Sequence, residues 1–191
     1  MWGKRGRVTE RLVRQFVRPR ARLCALASPR PRRMIATARL KLRKFVAADV
    51  PRVAAICSDY AVSSMCRVVP HPYTEADAIN FVKEICTAMD SLVLAIVSLA
   101  DNKLIGCISL EDFRPDFTGS SPGGTVANLG YYLAVEAWGF GYATEAASAV
   151  IDHAFRSRGL SAIESGYWAE NARSAGVQAK LGLLPVRREP L

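Results

Sequence analysis

The sequence predicts one α+β domain, a mixed sheet flanked by helices, and three observations lead to it. The chain has 191 residues, half of them hydrophobic and 23% charged, which is enough for one domain with a sizeable core. Segments of period two and segments of period near 3.6 follow each other in the order β-α-α-β-β-β-α-β-α-β. Strands and helices therefore mix without strict alternation, which excludes a doubly wound parallel sheet. No apolar run approaches the ~18 residues that cross a bilayer, so no membrane span is expected.

The first segment, 1–33, reads as a basic leader ahead of a domain at 34–191. It holds eleven Lys and Arg against Glu10 alone, a net of +10 out of the chain's formal +9, so the remaining 158 residues carry −1. A nucleic-acid argument from net charge would thus apply to the leader only, and no DNA partner is expected of the domain. Val8, Leu12, Val13, Phe16 and Val17 recur at helical spacing. Three readings compete: a transit peptide, a surface helix against anionic lipid or RNA, and an upstream extension of a frame that starts at Met34. The third is preferred, because a strand-like segment begins soon after Met34, and the leader is expected to be disordered or no part of the natural protein.

Arg39 to Arg43 alternates apolar and polar side chains, as a half-buried strand does. Asp49 and Pro51 open a helix to about Ser58. Thr74, with Glu75 and Asp77 in the first turn, opens another to about Ala88, with Ala78, Phe81, Val82 and Ile85 as its core stripe. Leu92–Leu99 and Leu104–Leu110 form a hairpin. After the loop from Pro115 to Gly124 come a strand at about Val126–Leu133, a glycine turn, and a helix from Thr144 to about Arg156. Ser161–Trp168 is the next strand. A helix from Asn171 or Ala172 to Leu181 follows, closed by Gly182, and Leu183–Arg187 is a last strand.

Five cysteines stand apart with no Cys-x-x-Cys and no histidine at ligand spacing, which points to reduced thiols in a cytoplasmic protein and to no metal. The turn Trp138-Gly139-Phe140-Gly141-Tyr142-Ala143 lies between a strand and a helix. Such a turn aims backbone amides and the positive helix end at one point, a seat for a pyrophosphate. A tight turn with glycine for conformational reasons is the plain alternative. A dinucleotide site is excluded, since Thr144 replaces the third glycine and too little chain remains.

The stretch from Asn128-Leu129-Gly130-Tyr131 through Trp138 to Thr144-Glu145 resembles the acetyl-CoA motif of the GNAT acetyltransferases. The pattern Gln/Arg-x-x-Gly-x-Gly/Ala is matched by Trp138, Gly141 and Ala143. Asn171-Ala172-Arg173-Ser174 through Lys180-Leu181-Gly182 resembles a second family element, Ala36 to Arg43 the first strand, and Pro70 to Ala78 the opening of the second helix. The similarity spans about 34–187 and is nearest to the RimJ/RimL-like branch of ribosomal-protein N-terminal acetyltransferases.

The resemblance implies a central mixed, mostly antiparallel sheet flanked by helices, here without the further strand that relatives usually carry beyond the one near Leu183, because the chain stops at Leu191. It implies acetyl-CoA as co-substrate, with the backbone of Trp138, Gly139, Phe140, Gly141, Tyr142 and Ala143 on the pyrophosphate. Leu129 and Tyr131 would border the pantetheine slot, and Asn171 would bond that arm besides capping its helix. Ser174 would stand near the thioester sulfur as general acid, or bond the backbone of its own first turn. The implied reaction is direct transfer, in a ternary complex, to a primary amine of a protein N-terminus or a small molecule, by a monomer or homodimer. Many relatives have Glu where this chain has Asn128, which cannot act as a base. Proton removal passes to Glu111, Asp112, Glu170 or water, with Glu111 retained as the candidate. His71 is a loop residue that would border the acceptor groove, and His153 a helical one. Asn128 and the short C-terminus keep a second class open, a non-catalytic acyl-CoA-binding or interaction protein. The acceptor itself has no readable code in the loops at 59–72 and 113–125.

Overall fold

The computed structural model describes residues 11–17, 34–88, 91–116 and 124–190, with the backbone alone for 11–17 and 185–190. Eight strands make one sheet: β1 (Arg11–Val17), β2 (Met34–Ala36), β3 (Leu40–Arg43), β4 (Leu92–Ser98), β5 (Leu104–Pro115), β6 (Thr125–Leu133), β7 (Leu160–Trp168) and β8 (Leu184–Pro190). Their order across the sheet is β2-β3-β4-β5-β6-β7-β1-β8. Every neighbouring pair is antiparallel except β6 and β7. Five helices flank it: α1 (Val50–Ser58), α2 (Tyr60–Ser63), α3 (Glu75–Lys83), α4 (Tyr142–Ser157) and α5 (Ala172–Lys180). Among the described residues no helix is long and apolar enough to cross a membrane. This is the mixed, mostly antiparallel sheet with flanking helices that the sequence predicts.

The period of two on β6 divides the molecule into two faces. Ala127, Leu129, Tyr131 and Leu133 pack with Ala146, Ala147, Val150 and Ala154 of α4. Tyr132, on the opposite face, packs with Val53 and Cys57 of α1 and with Ala78 and Val82 of α3. Ala146, Ala147 and Ala154 are fully buried, and their small side chains let α4 pack closely on the sheet.

The expected elements are present with shifted ends, and the shifts have local causes. Asp49 precedes α1 as expected, but its carboxylate does not cap it. It accepts from the Val46 amide (2.9 Å) and from the Arg43 guanidinium (2.7 and 2.9 Å), fixing the turn before the helix. Thr74 and Asp77 form the reciprocal cap that opens α3. That helix ends at Lys83 and a 3₁₀ turn follows, so Ile85 leaves the core stripe and is 45% exposed. β5 runs on to Pro115 past a register shift between Glu111 and Arg114, where Asp112 takes a positive φ.

The leader differs from the helical spacing read in it. Arg11–Val17 is strand β1, antiparallel to β7 on one side and to β8 on the other. Pairing within the sheet overrides the local period there. Residues 1–10 and 18–33 lie outside the described residues, so the wider expectation for the leader is not addressed by them.

Candidate active site

β6 and β7 pair in parallel from Thr125 and Leu160 as far as Leu129 and Ser165, and the register ends there. At that point the Ser165 hydroxyl donates to the Leu129 carbonyl (2.9 Å). The buried Gln178 of α5 donates to the Ser165 hydroxyl (3.0 Å) and to the Gly166 carbonyl (3.3 Å). Side chains thus satisfy backbone groups that the parting strands leave unpaired. Beyond this point lies a cavity of about 850 Å³.

The glycine turn closes one end of the cavity. Gly139 and Gly141 have φ of +84° and +79°, and α4 begins at Tyr142 directly after them. The first-turn amides of α4 have no partner within the helix, and Tyr142, Ala143 and Thr144 line the cavity. Arg39 holds the turn from outside. Its guanidinium donates to the Phe140 carbonyl (3.0 Å), pairs with Glu145 (2.7 Å), and lies 4.6 Å from the centre of the Tyr142 ring. Thr37 and the Arg39 amide also donate to Glu145 (2.6 and 2.9 Å). Burial works to raise the Glu145 carboxyl, but these donors outweigh it and hold the group below the usual carboxylate range. Trp138 is fixed by its indole N–H on the Leu133 carbonyl (2.9 Å) and by the Arg173 guanidinium 4.7 Å above its ring.

The N-terminus of α5 supplies the next wall. The Asn171 side-chain oxygen accepts from the Ser174 amide (3.0 Å), the cap expected of it. The Ser174 hydroxyl lies 2.8 Å from the Tyr131 phenol oxygen across the slot. On the other face of the sheet the wall is apolar: Ala61 and Val62 of α2, then Met65 and Cys66. Burial, and then the neighbouring Cys57, push the Cys66 thiol up to about 12.

Most of the residues named from the sequence meet in this one cavity. Leu129, Tyr131, Trp138, Gly139 and Gly141 line it, as do Tyr142, Ala143, Asn171 and Ser174. Phe140 does not: its ring is 60% exposed and stacks on Tyr142 at 5.8 Å. Glu111 is not a lining residue either. It stands on β5 directly across from Asn128, which has Glu164 of β7 opposite on its other side. The buried Glu164 is ion-paired with Arg114, which also bonds Asp112 (2.5 Å). His71 approaches Ser63 (3.3 Å) and the Tyr60 ring, and His153 bonds Ser157 (3.2 Å), so both histidines are outside the cavity lining. Among the described residues no three His, Cys, Asp or Glu side chains group as a metal site.

Sequence reasoning missed Arg39 as a brace of the turn, because its partners lie far along the chain. It also missed the α2 wall, whose single helical turn is too short to show a period.

A family model described as an acetyltransferase (GNAT) domain matches residues 39–184. No curated protein matches the chain significantly. Among solved structures, a GNAT-family acetyltransferase from Bacillus anthracis is 28% identical, covering 78% of this chain and 82% of its own, at a TM-score of 0.64. RimL, a ribosomal L7/L12 α-N-protein acetyltransferase solved with coenzyme A, is 17% identical over 78% of this chain and 82% of its own, at 0.64. Spermidine N-acetyltransferase from Vibrio cholerae, solved with CoA and spermine, is 16% identical over 76% and 81%, at 0.62.

Proposed function

The chain belongs to the GNAT acetyltransferase family, and from that premise we propose that it moves an acetyl group from acetyl-CoA to a primary amine by direct transfer in a ternary complex. The observation that carries this reading is one cavity lined by the glycine turn, the parted ends of β6 and β7, the start of α5 and the apolar α2 wall. The pyrophosphate lies on the amides from Trp138 to Ala143, at the positive end of α4. The pantetheine arm runs between Leu129 and Tyr131 on one strand and Ser165 to Tyr167 on the other, with Asn171 beside it. Ser174 protonates the departing sulfur, a modest aid because a thiol with a pKa of about 8.5 already leaves well.

The amine enters from the α2 side and attacks when neutral. An α-amine with a pKa of about 8 is partly neutral at about pH 7, so a weak base suffices. Glu170, which lines the cavity, or water takes that proton. A protein N-terminus and a small-molecule amine are the two acceptor classes, the ones that RimL and the spermidine enzyme represent among the similar structures. The RimJ/RimL-like branch is the placement we favour, on Trp138, Asn171 and Ser174 together. Four free cysteines without a disulfide among the described residues fit a cytoplasmic setting.

Calorimetry with acetyl-CoA, followed by assay of free CoA released with N-terminal peptides and polyamines, tests the reading. Binding by the wild type, its loss in Gly141→Val and thiol release with at least one amine are expected. Binding without release from any amine would favour a non-catalytic acyl-CoA-binding protein, the reading that Asn128 motivates.

A further inference from the structure

Resting on that acetyltransferase reading, we propose that Tyr131 is a positioning residue that acts through Ser174, so that the proton donor to the CoA sulfur is a hydroxyl pair rather than one serine. The two oxygens are 2.8 Å apart, while the Ser174 carbonyl is 3.4 Å from the phenol, a much weaker acceptor site. A phenol is the stronger donor and an alkyl hydroxyl the better acceptor, so the short bond runs from Tyr131 to Ser174. Ser174 then keeps its own proton for the slot that both residues line.

The surroundings hold this arrangement from two sides. Ser174 is fixed by its amide on Asn171 (3.0 Å). Tyr131 faces Gln178 as well, and Gln178 is anchored to Ser165 and Gly166 where the strands part. Burial pushes the phenol above its ordinary value, with the bonds to Ser174 and Gln178 opposing that rise, and so it remains a donor at neutral pH. In the transfer step the amine nitrogen attacks the carbonyl carbon and the C–S bond breaks with its electron pair on sulfur. The Ser174 proton passes to that sulfur as the bond breaks. As it does, the Tyr131 proton moves to the serine oxygen, so the charge comes to rest on the phenolate, the weaker base, until solvent returns the proton that the amine gave up.

Three variants test this: Tyr131→Phe, Ser174→Ala and the two combined, each measured for kcat, KM and acetyl-CoA affinity. Tyr131→Phe is expected to lower kcat about tenfold, the worth of one hydrogen bond to a group developing charge. Its acetyl-CoA Kd should stay within about twofold of wild type, since shape is conserved. Once Ser174 is alanine, losing the phenol should cost nothing more, whereas Ser174→Thr, which keeps a hydroxyl, should restore sensitivity to Tyr131→Phe. Losses that multiply in the combined variant overturn the proposal, as does a Kd that rises by as much as kcat/KM falls. A wild-type chain that binds acetyl-CoA yet acetylates no amine overturns the acetyltransferase reading itself, and that result differs from either failure of the pair.

Discussion

Arg39 reaches the glycine turn with three kinds of contact, a carbonyl, a carboxylate and an aromatic face, so the turn is braced by the residue that precedes β3. Arg39→Ala is expected to weaken acetyl-CoA binding roughly fivefold to tenfold in calorimetry, the range of one or two partly exposed bonds. Glu145 gives the same brace a pH signature. Its folded-state pKa lies below the unfolded value of about 4.3, so its contribution is present above that value and fades as pH falls through the folded one. Glu145→Gln should therefore melt earlier than wild type at neutral pH, and the two melting curves should converge as pH falls below that folded value. Gly141 is a further test, since its φ of +79° costs an L-residue about 1–2 kcal/mol before any branching at Cβ is counted. The glycine turn at Trp138 to Ala143 is readable from residue types at short spacing, while Asn171 and Ser174 join it only through the resemblance to the GNAT motifs. Arg39 was not readable as part of it, because nothing local marks an arginine whose partners come a hundred residues later.

Helix α5 shows how much an element's two ends reveal and how little they say of its middle. Asn171 caps its start. At its end Gly182 and Leu183 return their amides to the Ala179 and Gln178 carbonyls (3.0 and 3.1 Å), closing it as the sequence predicts. Asn171→Ala should lower stability by about 1 kcal/mol in chemical denaturation. The middle holds Gln178, fully buried, with its amide nitrogen bonded and its Oε1 without a partner among the described residues. Gln178→Leu removes that acceptor but also takes the donor from the Ser165 hydroxyl and the Gly166 carbonyl, opposing effects of about 1–3 kcal/mol each, so its melting temperature is expected to stay near that of wild type. The same variant should bind acetyl-CoA more weakly, because Ser165 and Gly166 lose the bonds that fix the parting of β6 and β7. A drop in melting temperature with unchanged affinity would contradict this. In the sequence Gln178 looks like an ordinary polar helical residue, since helix periodicity tells which face it shares but not that the face meets a gap in a sheet. Element boundaries failed for a related reason: β5 continues through a bulge at Asp112, which needs a partner strand to exist at all.

The molecule as a whole is one sheet in which β8 joins β7 only through β1, among the described residues. A chain beginning at Met34 would leave the edge of β7 uncovered and β8 without that neighbour. Its melting temperature is expected to fall by roughly 5–10 °C relative to the full chain, and the amides of β7 should exchange faster with solvent. An unchanged melting curve would show that β1 contributes nothing to the fold. Charge and composition set these residues apart from the domain, and neither property can reveal a pairing with strands that lie beyond residue 160. The position of β1 also bears on how the chain reaches its native state. Val17 stands opposite Ile163 and Leu12 opposite Glu189, so this seam closes by bringing together segments far apart in the sequence. Such contacts raise the loop-closure entropy of the final step and slow it. During synthesis β1 leaves the ribosome well before its partners β7 and β8 are made. Arginine repeated through that early strand would discourage it from pairing with a second nascent chain in the interval.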